Sequence, residues 1–110
     1  MPLIKVQTSV AHTDKSEVET LLKNLAAKLS KHLGIPESCV TTTFESGVPI
    51  AGTLEPACYI KIKSLGNMKI EQLNEMILEF RQQTIQAVNI DKNSKVYIEI
   101  GEAMGARWGW

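Results

Sequence analysis

The chain has 110 residues, 44% of them apolar and 22% charged, which fits one globular domain spanning residues 1–110 with a single core. Lys plus Arg equals Asp plus Glu at 12 each, so the basic excess of a dedicated nucleic-acid binder is absent. No apolar stretch approaches the roughly 20 residues of a membrane helix, and Met-Pro-Leu-Ile-Lys-Val lacks the basic-then-apolar form of a signal peptide. The expected location is therefore the cytoplasm, with leaderless secretion left open.

Residues 2–8 alternate, with Ile4 and Val6 facing one way and Lys5 and Gln7 the other, the pattern of a half-buried strand. His12 to Ser16 is polar punctuation. Ser16 and Glu19 have the spacing of a capping box. Val18, Leu21, Leu22, Leu25, Ala26, Leu29 and Leu33 then recur at helical spacing as one apolar stripe. Gly34 suits a left-handed cap and Pro36 forbids continuation. Val40, Thr42 and Phe44 alternate with Thr41, Thr43 and Glu45 as a second strand. Ser46 to Pro56, with Gly47, Pro49 and Gly52, reads as a loop.

The scheme then restarts. Tyr59, Lys61 and Lys63 alternate with Ile60 and Ile62. A helix follows with Ile70, Leu73, Ile77, Phe80 and Thr84 on its inner face. Asn89 to Ser94 is a polar break, Val96, Ile98 and Ile100 alternate with Tyr97 and Glu99 as a last strand, and Gly101 to Trp110 reads as an irregular tail. A shift of 56 residues, the offset from Leu3 to Tyr59, lays one half on the other. Leu21 then falls on Ile77, Leu29 on Ile85, Val40 on Val96 and Phe44 on Ile100. This predicts an α+β fold of two pseudo-symmetric β-α-β units, each with a right-handed crossover, sharing one four-stranded sheet. Both helices should cover one face. The other face, with Lys5, Gln7, Tyr59, Lys61 and Lys63, is then wet or meets another subunit.

Cys39 and Cys58 are too few for a disulfide framework and match no metal motif, and neither His12 nor His32 lies near them in sequence. Both read as buried thiols acting as small hydrophobes.

Pro2 carries the most distinctive chemistry. Methionine removal before a small residue exposes a secondary amine. A free α-amino group titrates near 8, and desolvation in an apolar pocket lowers that value towards neutrality. The product is a general base at working pH without a histidine. A strand starting directly at Pro2 would hold that amine in place instead of leaving a frayed end.

Pro2 opening a strand, the duplicated β-α-β plan, Glu55-Pro56 leading to Ser64-Leu65-Gly66, and Val96-Tyr97-Ile98 before a tail ending Gly109-Trp110 together resemble the macrophage migration inhibitory factor family of the tautomerase superfamily. The resemblance covers nearly the whole chain. It implies a homotrimer with active sites at subunit interfaces and no metal or organic cofactor. It also implies keto–enol tautomerisation of phenylpyruvate-like 2-oxo acids or dopachrome-like substrates. By position, Pro2 matches the catalytic proline, and Leu65 matches the residue whose backbone N–H holds the substrate carboxylate, in a turn with Ser64 and Gly66. Tyr97 matches the pocket tyrosine supplied by the adjacent subunit. Trp108 and Trp110 either wall an apolar pocket or pack in the core.

Several positions depart from the family pattern. Ile35 stands where the family has a substrate-binding lysine, so one cation for the carboxylate is missing. Glu99 stands where asparagine is frequent and brings negative charge. Ala57, Cys58 and Ile60 leave no Cys-x-x-Cys element, so thiol redox activity is not expected. Arg107 either supplies the missing cation or is a solvated surface residue. Two functions follow from the resemblance: a tautomerase whose activity is weakened at Ile35, or a trimeric, cytokine-like binding protein with vestigial activity.

Overall fold

Period-two alternation becomes strand and period-3.6 spacing becomes helix in the order the sequence sets. The computed structural model describes residues 2–11, 14–49, 58–65, 69–88 and 96–103, and at Leu65, Glu102 and Ala103 it describes the backbone. Its elements are β1 (Leu3–Thr8), α1 (Lys15–Leu33), a 3-10 turn (Glu37–Cys39), β2 (Thr41–Glu45), β3 (Cys58–Leu65), α2 (Ile70–Val88) and β4 (Val96–Ala103). The sheet order is β2-β1-β3-β4. Strand β1 runs parallel to β2, β3 runs parallel to β4, and β1 meets β3 antiparallel at the centre. Each parallel pair is joined through one helix, so two β-α-β units meet back to back as the internal repeat requires.

One face of the sheet is sealed by both helices. Ile4, Val6, Cys58, Ile60 and Ile62 form a single cluster with Leu21, Leu25 and Leu29 of α1 and Met76, Phe80 and Val88 of α2. Burial at about 25 cal/mol per Å² of apolar surface makes this layer the main source of stability. Burial also pushes the Cys58 thiol up from its ordinary pKa, outweighing the opposing hydrogen bond with Thr8. Cys39, in the 3-10 turn, is only half-buried, so the reading of two buried thiols holds for Cys58 alone.

Local chemistry differs from expectation in four places. The N-cap of α1 is Asp14, whose Oδ1 accepts the Glu17 N–H at 3.2 Å, so Ser16 lies inside the helix and forms no capping box. An Asp oxygen satisfies the orphan donor as well as a Ser hydroxyl does, and it sits where the extended backbone ends. At the other end Gly34 adopts φ 68°, and its N–H donates to Ser30 O at 2.9 Å, the left-handed termination expected there. On α2, Ile70 is 71% exposed; Met76, Phe80, Thr84 and Val88 form the buried stripe, with Leu73 alongside and Ile77 half-buried. Ser64 and Leu65 continue β3 rather than turn, because Glu102 and Ala103 extend β4 beside them. Gly101 therefore belongs to a strand and not to an irregular tail. The Ile50–Pro56 part of the expected loop, the Asn89–Ser94 break, Gly66 and the segment from Met104 onward lie outside the described residues.

The uncovered face is polar, as the alternation demands. Across it the register sets Lys5 beside Thr43 and Lys61, and Lys61 beside Glu99. Glu45 takes a 3.8 Å ion pair from Lys5 and a 3.4 Å hydrogen bond from the Gln7 amide. The Tyr59 hydroxyl donates to Glu99, which raises the Tyr59 pKa above its ordinary value. No described helix is long and apolar enough to cross a membrane.

Candidate active site

Pro2 precedes β1 directly and is buried. Its carbonyl accepts the N–H of Thr41 at 3.0 Å, so the first rung between β1 and β2 already includes it. A proline lacks the N–H to join a ladder as donor but can accept, and here that single bond ties the chain start to the sheet. Sequence reading did not find Thr41 as the residue that anchors Pro2, because the parallel pairing joins positions far apart in the chain.

Ser64 comes to the same place from β3. Leu3 pairs with Lys63 in the antiparallel register, and Pro2 and Ser64 are the next residues beyond that pair on their two strands. Strand alternation gives them one face, and both are buried, on the side the helices cover. The Ser64 Oγ has no hydrogen-bond partner among the described residues. A buried hydroxyl left without a partner carries a desolvation cost of about 1–3 kcal/mol, which a ligand or water can relieve. The Leu65 backbone follows at the end of β3, opposite Ala103.

Ile35 stands just beyond the left-handed end of α1 and is half-buried. Its N–H donates to Ser30 O at 3.2 Å, and its carbonyl accepts the Ser30 hydroxyl at 2.7 Å. These bonds hold Ile35 at the start of the 3-10 connection that leads into Thr41, and thus to the strand end where Pro2 lies.

Tyr97 is elsewhere. It pairs with Tyr59, which opposes Gln7, at the far end of the sheet from the Pro2–Ser64 step. At about 3.3 Å per residue, the five positions from Tyr59 to Ser64 separate the two ends by about 16 Å. Tyr97 is 48% exposed. A single chain therefore brings together Pro2, Ser64 and the Leu65 backbone, and it does not bring Tyr97 to them. Arg107 and Trp108 lie outside the described residues. Among the described residues the one grouping of metal-ligating types is His32, Glu75 and Glu79, between α1 and α2.

The family model described as macrophage migration inhibitory factor (MIF) matches residues 1–110. Among solved structures, the chain is similar to a macrophage migration inhibitory factor homologue from Prochlorococcus marinus, at 32% identity over 98% of this chain and 94% of that one, with a TM-score of 0.86. The macrophage migration inhibitory factor-like protein of Entamoeba histolytica shares the fold at 21% identity, covering 99% of this chain and 94% of that one, with a TM-score of 0.83. A fused 4-OT wild-type symmetric trimer shares it at 18% identity, covering 98% and 90% of the two chains, with a TM-score of 0.81. No curated protein matches the chain in sequence. The repeated β-α-β sheet, a buried proline at the head of its first strand and a family match over the full length agree, and the chain belongs to the macrophage migration inhibitory factor family.

Proposed function

We propose that the chain is a keto–enol tautomerase of phenylpyruvate-like 2-oxo acids, with the exposed amine of Pro2 as general base once Met1 is removed. The observation that carries this reading is the seating of Pro2, which is buried and tied to Thr41 through its carbonyl at 3.0 Å. A base must be held within hydrogen-bond reach of the proton it moves, and a frayed terminus would not be. Burial disfavours the charged ammonium and so favours the neutral amine that a base requires. That amine removes a proton from the carbon beside the substrate carbonyl, the electron pair moves to oxygen, and the ammonium returns the proton there. The reverse sequence yields the keto form. Only a proton changes place, so the reaction calls for no oxidant or reductant.

The Leu65 backbone N–H is assigned to the substrate carboxylate and the Ser64 hydroxyl to the same end of the substrate. Tyr97 enters from a second copy of the chain, because its own copy holds it at the other end of the sheet. The assembly that supplies such neighbours is a homotrimer, with the uncovered sheet faces turned to a central axis. Ile35 leaves the carboxylate without the family's lysine, which favours weak turnover or, as a second reading, a binding protein of cytokine-like type. Enol-phenylpyruvate turnover, measured together with the mass of the N-terminus, tests both. Turnover by the Met-free protein alone supports the enzyme, and no turnover by a verified Met-free trimer supports the binding protein.

A further inference from the structure

The two helices lie antiparallel on the sheet, the Gln72 amide of α2 reaching the His32 carbonyl at the end of α1. This packing brings His32 to Glu75 and Glu79, which are four apart on α2 and so share one face. One ligand atom from each of the three lies within 4.8 Å of the others. The His32 side chain is only 10% exposed, and its Nε2 stands 3.7 Å from Glu79 Oε2. That oxygen is buried and accepts no hydrogen bond among the described residues. Its nearest basic groups among the described residues are the His32 imidazole and the Lys28 ammonium, each at 3.7 Å, beyond hydrogen-bond length.

Glu79 meets Lys28 and His32 across the helices at ion-pair rather than hydrogen-bond distance, and Glu75 beside it is exposed. Two glutamates at this spacing repel each other, and a buried carboxylate oxygen is usually hydrogen-bonded. The grouping is not a by-product of the repeat. The same offset of 56 residues carries His32 to Val88, Glu75 to Glu19, Glu79 to Lys23 and Lys28 to Thr84, so the symmetry-related position has lost the imidazole and one carboxylate. The molecule contains its own control.

We propose that His32, Glu75 and Glu79 form a binding site for a first-row divalent cation, zinc being the best match, which links the last turn of α1 to α2. One imidazole and two carboxylates are ligand types zinc accepts, with water completing a tetrahedral shell. Metal–ligand bonds of about 2.0–2.2 Å set neighbouring ligand atoms roughly 3.3 Å apart, so the glutamate stems close by about an ångström. The dication takes over the charge that Lys28 now balances from 3.7 Å, and that ammonium swings to solvent, where its side chain is already 37% exposed. This site is independent of the chemistry assigned to Pro2.

The test is calorimetric titration of zinc chloride into chelator-treated, tag-free protein. One zinc per chain is expected. His32→Gln and Glu79→Gln, verified as folded by circular dichroism, should each weaken binding at least about 10-fold. Lys28→Met, which removes the competing ammonium, should tighten it. Saturating zinc should raise the Tm of the wild type and leave that of His32→Gln unchanged. Absence of saturable binding would overturn the proposal. So would binding that His32→Gln leaves intact or that Cys39→Ser abolishes, since either places the cation elsewhere.

Discussion

Pro2 and Tyr97 occupy opposite ends of one sheet: Pro2 stands a step beyond the Leu3–Lys63 pair, whereas Tyr97 pairs with Tyr59 about 16 Å away along β3. The separation follows from the antiparallel join of two parallel pairs, which points the starts of β1 and β4 in opposite directions. A site using both residues has to draw them from different chains. Pro2→Ala and Tyr97→Ala proteins, each impaired alone, should therefore recover activity when unfolded together and refolded, since mixed trimers contain sites with both residues intact. Sedimentation should give a trimer at micromolar concentration. A monomer, or mixtures no more active than their parts, would contradict the shared site.

Replacing Pro2 itself separates base from scaffold. Pro2→Ala keeps the carbonyl that Thr41 bonds and leaves a primary amine, so the thermal transition should barely move. Tautomerase kcat/KM should fall by about 100-fold or more, the scale of a lost general base. A protein that retains Met1 should be equally impaired, because an amide nitrogen does not accept a proton. Equal turnover by the Met-free and Met-retaining forms would remove Pro2 from the mechanism.

Ile35 tests the missing cation. It is held by Ser30 at both its N–H and its carbonyl, so Ile35→Lys changes the side chain without loosening the backbone. Phenylpyruvate kcat/KM should rise about 10-fold, the scale of a regained charged hydrogen bond, while an ester of the same acid gains little. An unchanged value in a folded variant means that another cation already meets the carboxylate.

The start of α1 distinguishes the observed cap from the one the sequence suggested. Asp14→Ala removes the acceptor for Glu17 N–H and should cost about 1 kcal/mol of stability. Ser16→Ala, inside the helix, should cost much less. Chemical denaturation of the two variants side by side checks the order, and a larger loss at Ser16 would restore the capping box.

Tyr59 and Glu99 give a pH-dependent signature on the uncovered face. The hydrogen bond to Glu99 favours the protonated phenol, raising the Tyr59 pKa above its ordinary value near 10. A raised pKa contributes stability that is fully present below the unfolded value and is lost as pH rises through the folded one, so the pair loosens only in strong alkali. Glu99→Gln should bring the phenolate absorbance transition back towards that of a free tyrosine. A transition that stays in place would mean the bond is not formed in solution.

The order of elements was legible in the sequence because it depends on local periodicity. Ile4 and Val6, Leu21, Leu25 and Leu29, and Ile60 and Ile62 alternate or recur within a few residues, and all of them are in the core. The place of Pro2 at the head of the first strand was legible too, because the alternation begins directly after it. Where local signals competed, Asp14 took the cap from Ser16 through a local bond to the Glu17 N–H, whereas packing decided the inner face of α2, where Ile70 yielded the core to Met76 and Val88. Ser64 and Leu65 became strand because Glu102 and Ala103 lay alongside to pair with them. Three relationships belonged to the tertiary structure alone: the bond that anchors Pro2 to Thr41, the distance that keeps Tyr97 from Pro2, and the meeting of His32 with Glu75 and Glu79. Each joins residues dozens of positions apart, and such contacts are set by strand register and helix packing, for which no short stretch of sequence carries the information.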